Sequence, residues 1–131
     1  MGGANPKFGL ELLGTNVFIT NDTQYYTPSN KRTVALGDYV LFNCRVDMAV
    51  TTYAVLGPIV FSNMVRITTD ATRTFVCLFN VHVVKDASIK ANVGLRVHMD
   101  NTASNKLIFT VQGGIYPSAL NLTITSMHKL V

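Results

Sequence analysis

The sequence predicts an all-β protein: a single antiparallel β-sandwich or barrel-like domain over residues 1–131, entered through an N-terminal hairpin. Three observations point there. Val, Thr and Ile supply 38 of the 131 residues, and their branched β-carbons lose rotamer freedom in a helix while packing well on a pleated sheet. Apolar and polar residues alternate with a period of two in several stretches, which puts one face of a strand in a core and the other in water. Clusters of Gly, Asn, Asp and Ser interrupt these stretches at short intervals, as turns of a sandwich or barrel require.

Residues 1–7, MGGANPK, are too polar and Gly-rich for a core and are read as an N-terminal arm that contacts a neighbour. Phe8, Leu10 and Leu12 then alternate with Gly9 and Glu11, and the run Val17, Phe18, Ile19 resumes after Gly14-Thr15, so residues 7–20 read as a hairpin with its turn at Gly14 to Asn16. TNDTQYYTPSNKRT, residues 20–33, is the one long polar stretch and reads as an exposed loop carrying Tyr25 and Tyr26.

YVLFNCRVDM, residues 39–48, gives the clearest alternation, with Val40, Phe42, Cys44, Val46 and Met48 on one face and Tyr39, Asn43, Arg45 and Asp47 on the other. Residues 48–67 are interrupted by Gly57-Pro58 and read as two extended segments joined by a turn, with a short helical turn after Pro58 as the alternative. TFVCLFNVHVV, residues 74–84, is apolar on both faces near its middle, as a central strand or a subunit contact would be. In residues 92–100 Val93, Leu95, Val97 and Met99 alternate with Gly94, Arg96 and His98. In residues 120–126 Leu120, Leu122 and Ile124 alternate with Asn121, Thr123 and Thr125, and both read as strands with one wet face. Residues 106–112 form a shorter apolar strand, and GGIYPS at 113 is a turn.

Chemistry-bearing patterns are few. His82, His98 and His128 have no Cys, Asp or Glu at a ligand interval, so neither a metal nor a cofactor is expected. His98 and Asp100 share a strand face, as residues at any exposed strand end do. A nucleophile elbow and a phosphate-binding Gly loop are both absent from the sequence, and no enzyme is predicted. Cys44 and Cys77 occupy core-like positions and read as buried thiols, with a bridge between facing strands as the alternative. Tyr25, Tyr26 and Tyr116, in turn-rich segments, are candidate contacts for a partner or a glycan, because an aromatic ring offers a large contact area at small entropic cost. The sequons Asn21-Asp22-Thr23 and Asn121-Leu122-Thr123 carry little weight among eleven Asn and fifteen Thr.

The chain is 48% hydrophobic and only 14% charged, against about 25% charged in an ordinary soluble domain, so part of its surface is expected to be covered by other subunits. The net charge of +4 is scattered, with only Lys31-Arg32 adjacent, which argues against nucleic acid as a partner. Neither a signal peptide nor a membrane span is recognised.

The opening Phe8-Gly9-Leu10-Glu11, with Gly14 to Asn16 after it, resembles the start of small bacteriophage virion proteins, tail- or head-associated. The resemblance covers about the first 20 residues and implies a structural accessory protein of the particle, made in the host cytoplasm. Its partners would be copies of itself and other virion proteins, with Phe8, Leu10 and Leu12 as candidate subunit contacts. A carbohydrate-binding sandwich that touches a host-surface glycan is the first alternative. An RNA-phage-type coat is the second; it fits the length and the basic charge, but such coats end in helices and ALNLTITSMHKLV is strand-like.

Overall fold

The computed structural model describes residues 9–20, 23–26, 34–57, 59–100, 106–113 and 120–131. They form nine strands: β1 (Leu10–Ile19), β2 (Thr23–Tyr26), β3 (Tyr39–Met48), β4 (Tyr53–Leu56), β5 (Val60–Arg66), β6 (Thr74–Val83), β7 (Ile89–Met99), β8 (Lys106–Gln112) and β9 (Leu120–Leu130). A 3-10 turn, Asp70–Thr72, joins β5 to β6. The strands make two antiparallel sheets, β1-β9-β3-β5 and β2-β8-β7-β6-β4. Each sheet keeps two edges, so the architecture is a sandwich and not a closed barrel. Strands from the two ends of the chain pair in both layers, β1 with β9 and β2 with β8.

The inner faces follow the period-two pattern. Val40, Phe42, Cys44 and Val46 of β3 are buried, and so are Val93, Leu95, Val97 and Met99 of β7 and Leu107, Phe109 and Val111 of β8. Phe42 and Phe109 meet edge-to-face across the layers with centroids 5.8 Å apart, the arrangement that aligns a positive ring edge with a negative ring face. Phe61 of β5 stacks on Phe79 of β6 at 5.3 Å, tying the layers together a second time.

Residues 10–19 are one continuous strand, not the two arms of a hairpin, and they pair along their length with β9. Gly14 does not turn the chain. Leu12 pairs with His128 and Gly14 with Met127, so Leu13 is an extra residue in a β-bulge, and it is buried. Asn16 takes the left-handed region with φ 52° without interrupting the pairing of Thr15 and Val17. Asn tolerates that region because its short side chain can satisfy the backbone locally.

β9 carries a compensating irregularity. Asn43 pairs with Ser126 but Cys44 with Ile124, which leaves Thr125 as the odd residue, and its hydroxyl donates to the Asn43 carbonyl at 3.0 Å. An extra residue flips the faces beyond it. The buried set therefore changes from Leu120, Leu122 and Ile124 to Met127 and Lys129. The inward Lys129 ammonium is paired with Asp38 at 2.9 Å, and the same Asp38 oxygen accepts the Ala35 N–H.

Two other expectations are corrected. The polar stretch 20–33 is not all loop, because residues 23–26 form β2 on the edge of the second sheet. The outer face of β7 is not uniformly wet: Gly94 lies beneath Phe75 and Leu78, and a Cβ there would come within 2.7 Å of the Phe75 ring. The break at Gly57 (φ +93°) does separate two extended segments, but β4 and β5 belong to different sheets, so the chain crosses between layers there.

Candidate functional site

The outer face of the β1-β9-β3-β5 sheet is organised in rows set by strand register. Leu10 lies opposite Leu130, and Leu12, His128, Leu41 and Met64 align across all four strands. Leu10, Leu12, Met64 and Leu130 are all exposed, Leu12 to 43%. Next comes a polar row, Thr15, Ser126, Asn43 and Ser62. The Asn43 amide nitrogen donates to Ser126 Oγ at 2.9 Å, and Ser62 Oγ donates to Asn43 Oδ1 at 2.6 Å. The following row is Phe18, Thr123, Arg45 and Val60. An apolar end and a mixed end are thus separated by a hydrogen-bonded ladder.

Beside the mixed end is a groove of about 420 Å³ lined by Phe18, Arg45, Asp47, Asn121 and Thr123 among others. Phe18 is 73% exposed, while Thr123 is buried and helps close the floor. Arg45 and Asp47 form an exposed ion pair at 3.0 Å. The groove therefore offers an aromatic face, a cation, an anion and an amide, which is the mixture that orients small polar ligands.

A charged cluster stands on the outer face of the other sheet. Arg73 binds Asp70 through two nitrogens and donates to Thr110 Oγ1 at 3.1 Å. His98, buried under this turn, places Nε2 3.5 Å from Asp70 Oδ1. Its carboxylate neighbour at contact distance is therefore Asp70, whereas Asp100 pairs with Lys106 at 3.0 Å. The Arg73 hydrogen bonds hold the Asp70 carboxyl below the usual carboxylate range, and burial pushes the His98 imidazole down despite Asp70. Arg96 lies over the Phe75 ring at 5.9 Å. No metal-sized group of three or more His, Cys, Asp or Glu occurs among the described residues.

Of the sequence candidates, Leu10 and Leu12 fall on the exposed apolar rows. Phe8, Tyr116 and the arm 1–7 lie outside the described residues, and Tyr26 is placed only by its backbone, opposite Lys106 in β2. Tyr25 packs its ring against the core, and its hydroxyl donates to the Leu13 carbonyl at 2.9 Å, bracing the two sheets. The Phe18 groove and the Asp70–His98 contact escaped the sequence because both depend on register and on the path of the β5–β6 connection. No helix among the described residues is long and apolar enough to cross a membrane. Comparison with protein-family models, curated proteins and solved structures gives no match.

Proposed function

We propose that this chain is a non-enzymatic structural protein of a viral particle, of the phage type, that associates with copies of itself through the outer face of the β1-β9-β3-β5 sheet. The observation that carries this reading is the alignment of Leu10 and Leu130 beside Leu12, Leu41 and Met64 on an exposed sheet face, in a chain with 14% charged residues. Partners would be other copies and neighbouring virion proteins, and the location the particle. The two-sheet antiparallel architecture supports it by fold-level analogy alone, since double-sheet folds such as jelly rolls occur in capsid domains. The test is the solution mass of the purified protein across a dilution series. Sharp multiples of 14.3 kDa, reduced by Leu12→Lys, support the reading, and a monomer at every concentration overturns it.

Lectins share that architecture, and the Phe18 groove favours a second reading, a carbohydrate-binding module. Glycan-array binding that Phe18→Ala abolishes would favour this reading over the first.

A further inference from the structure

Cys44 and Cys77 come from opposite layers, one on β3 and one on β6, and both are buried. Both belong to the one core packed between the layers, and each is the thiol neighbour of the other across the interior. The neighbours hold the layers close. Phe61, the ladder partner of Cys44, stacks on Phe79, two residues beyond Cys77 on the same inner face. A sandwich core has no need of two polarisable thiols facing each other, because aliphatic side chains fill such a gap equally well.

We propose that Cys44 and Cys77 form an inter-sheet dithiol that a peroxide oxidises to a disulfide, pinning the two layers. The neighbouring Cys77 thiol and burial push the Cys44 thiol up, while the neighbouring Cys44 thiol and the Leu95 backbone hold Cys77 down. Cys77 is also the more exposed of the two, at 6% against 0%. It is therefore the attacking sulfur. Cys77 loses its proton and its thiolate attacks a peroxide oxygen; the S–O bond forms, the O–O bond breaks, and the departing hydroxide takes up a proton as water. Cys44 then attacks the Cys77 sulfur; the S–S bond forms, the S–O bond breaks, and the second hydroxide leaves with the Cys44 proton. Two thiols and one peroxide give one disulfide and two waters.

The experiment treats the native full-length protein with hydrogen peroxide, quenches it, alkylates it under denaturing conditions and maps the tryptic digest. The expected product is about 2 Da lighter than the reduced protein, takes up no alkylating reagent, and links peptides 33–45 and 74–85. Its Tm should rise by about 5 to 10 °C. In Cys44→Ser, oxidation of Cys77 should stop at a sulfenic acid that dimedone traps; should that variant fail to fold, peptide mapping of the wild type decides alone. Two alkylatable thiols after prolonged exposure below the Tm, a sulfinic acid on Cys77 in the wild type, or linkage between molecules would each overturn the proposal.

Discussion

Gly14 and Tyr25 occupy the same space: a Cβ on Gly14 would overlap the Tyr25 hydroxyl, which reaches from β2 across the interior to the Leu13 carbonyl at 2.9 Å. The bulge at Leu13 turns that carbonyl toward the opposite sheet, and the missing side chain at Gly14 admits the phenol. Gly14→Ala is expected to destabilise the fold by about 1 to 3 kcal/mol, from overpacking, and Tyr25→Phe by about 1 kcal/mol, from the lost hydrogen bond. The double variant should cost less than the sum, because removing the hydroxyl relieves the closest part of the clash, leaving the ring carbon at 2.7 Å. Urea denaturation of the four proteins measures this, and strict additivity would show that the two residues are not coupled.

Phe42→Ala is expected to cost about 3 to 5 kcal/mol, since Phe42 is fully buried and its edge-to-face partner Phe109 would face a cavity. Chemical denaturation reads the loss directly. A change under about 1 kcal/mol would mean that the layers collapse into the space.

Cys44→Ala should lower stability by about 1 to 3 kcal/mol, through lost packing in the buried core. In the native wild type a bulky thiol reagent should label neither cysteine quickly. Rapid native labelling of Cys44 would show that its strand face is open.

The His98 imidazole is depressed by burial, so the unfolded chain binds its proton more readily than the folded one. The associated stability is complete above the unfolded pKa of about 6.5 and is lost as pH falls from there toward the lower folded value. Asp70, held low by Arg73, works in a more acidic window: its contribution is present above the ordinary carboxylate pKa and is lost below it. Thermal melts at about pH 7.5 and 5.5 should show a drop in the wild type that His98→Gln reduces. Equal drops in both proteins would assign the effect elsewhere.

The two layers and most of their inner faces were legible because a half-buried strand writes its burial every second residue. Val40, Phe42, Cys44 and Val46 are buried as their alternation requires. Gly14 misled because a glycine between apolar runs looks like a turn, while its actual reason, the Tyr25 hydroxyl, belongs to a strand of the other sheet. A glycine inside a strand pattern also signals a bulge or a close approach, and that alternative was available at Gly14 and Gly94 alike. Tyr25 read as a loop residue because β2 is only four residues long and sits in a polar stretch. The exposed rows were half legible: Leu10 and Leu12 were marked, but their alignment with Leu41 and Met64 depends on two bulges that no local pattern announces.

The place of β9 bears on how such a chain acquires its structure during translation. It is the last strand in chain order, yet it lies between β1 and β3. A polypeptide emerging from the ribosome with its N-terminus first therefore holds β1 and β3 with no common neighbour until residues 120–130 have been released. Non-local pairing of this kind makes folding slow and delays it until that segment is available. In the interval Leu13, Ile19, Val40 and Phe42, all buried in the finished sandwich, remain open to other nascent chains. Expression at lower temperature or in excess chaperone should accordingly raise the soluble yield more than it would for a helical protein of the same size.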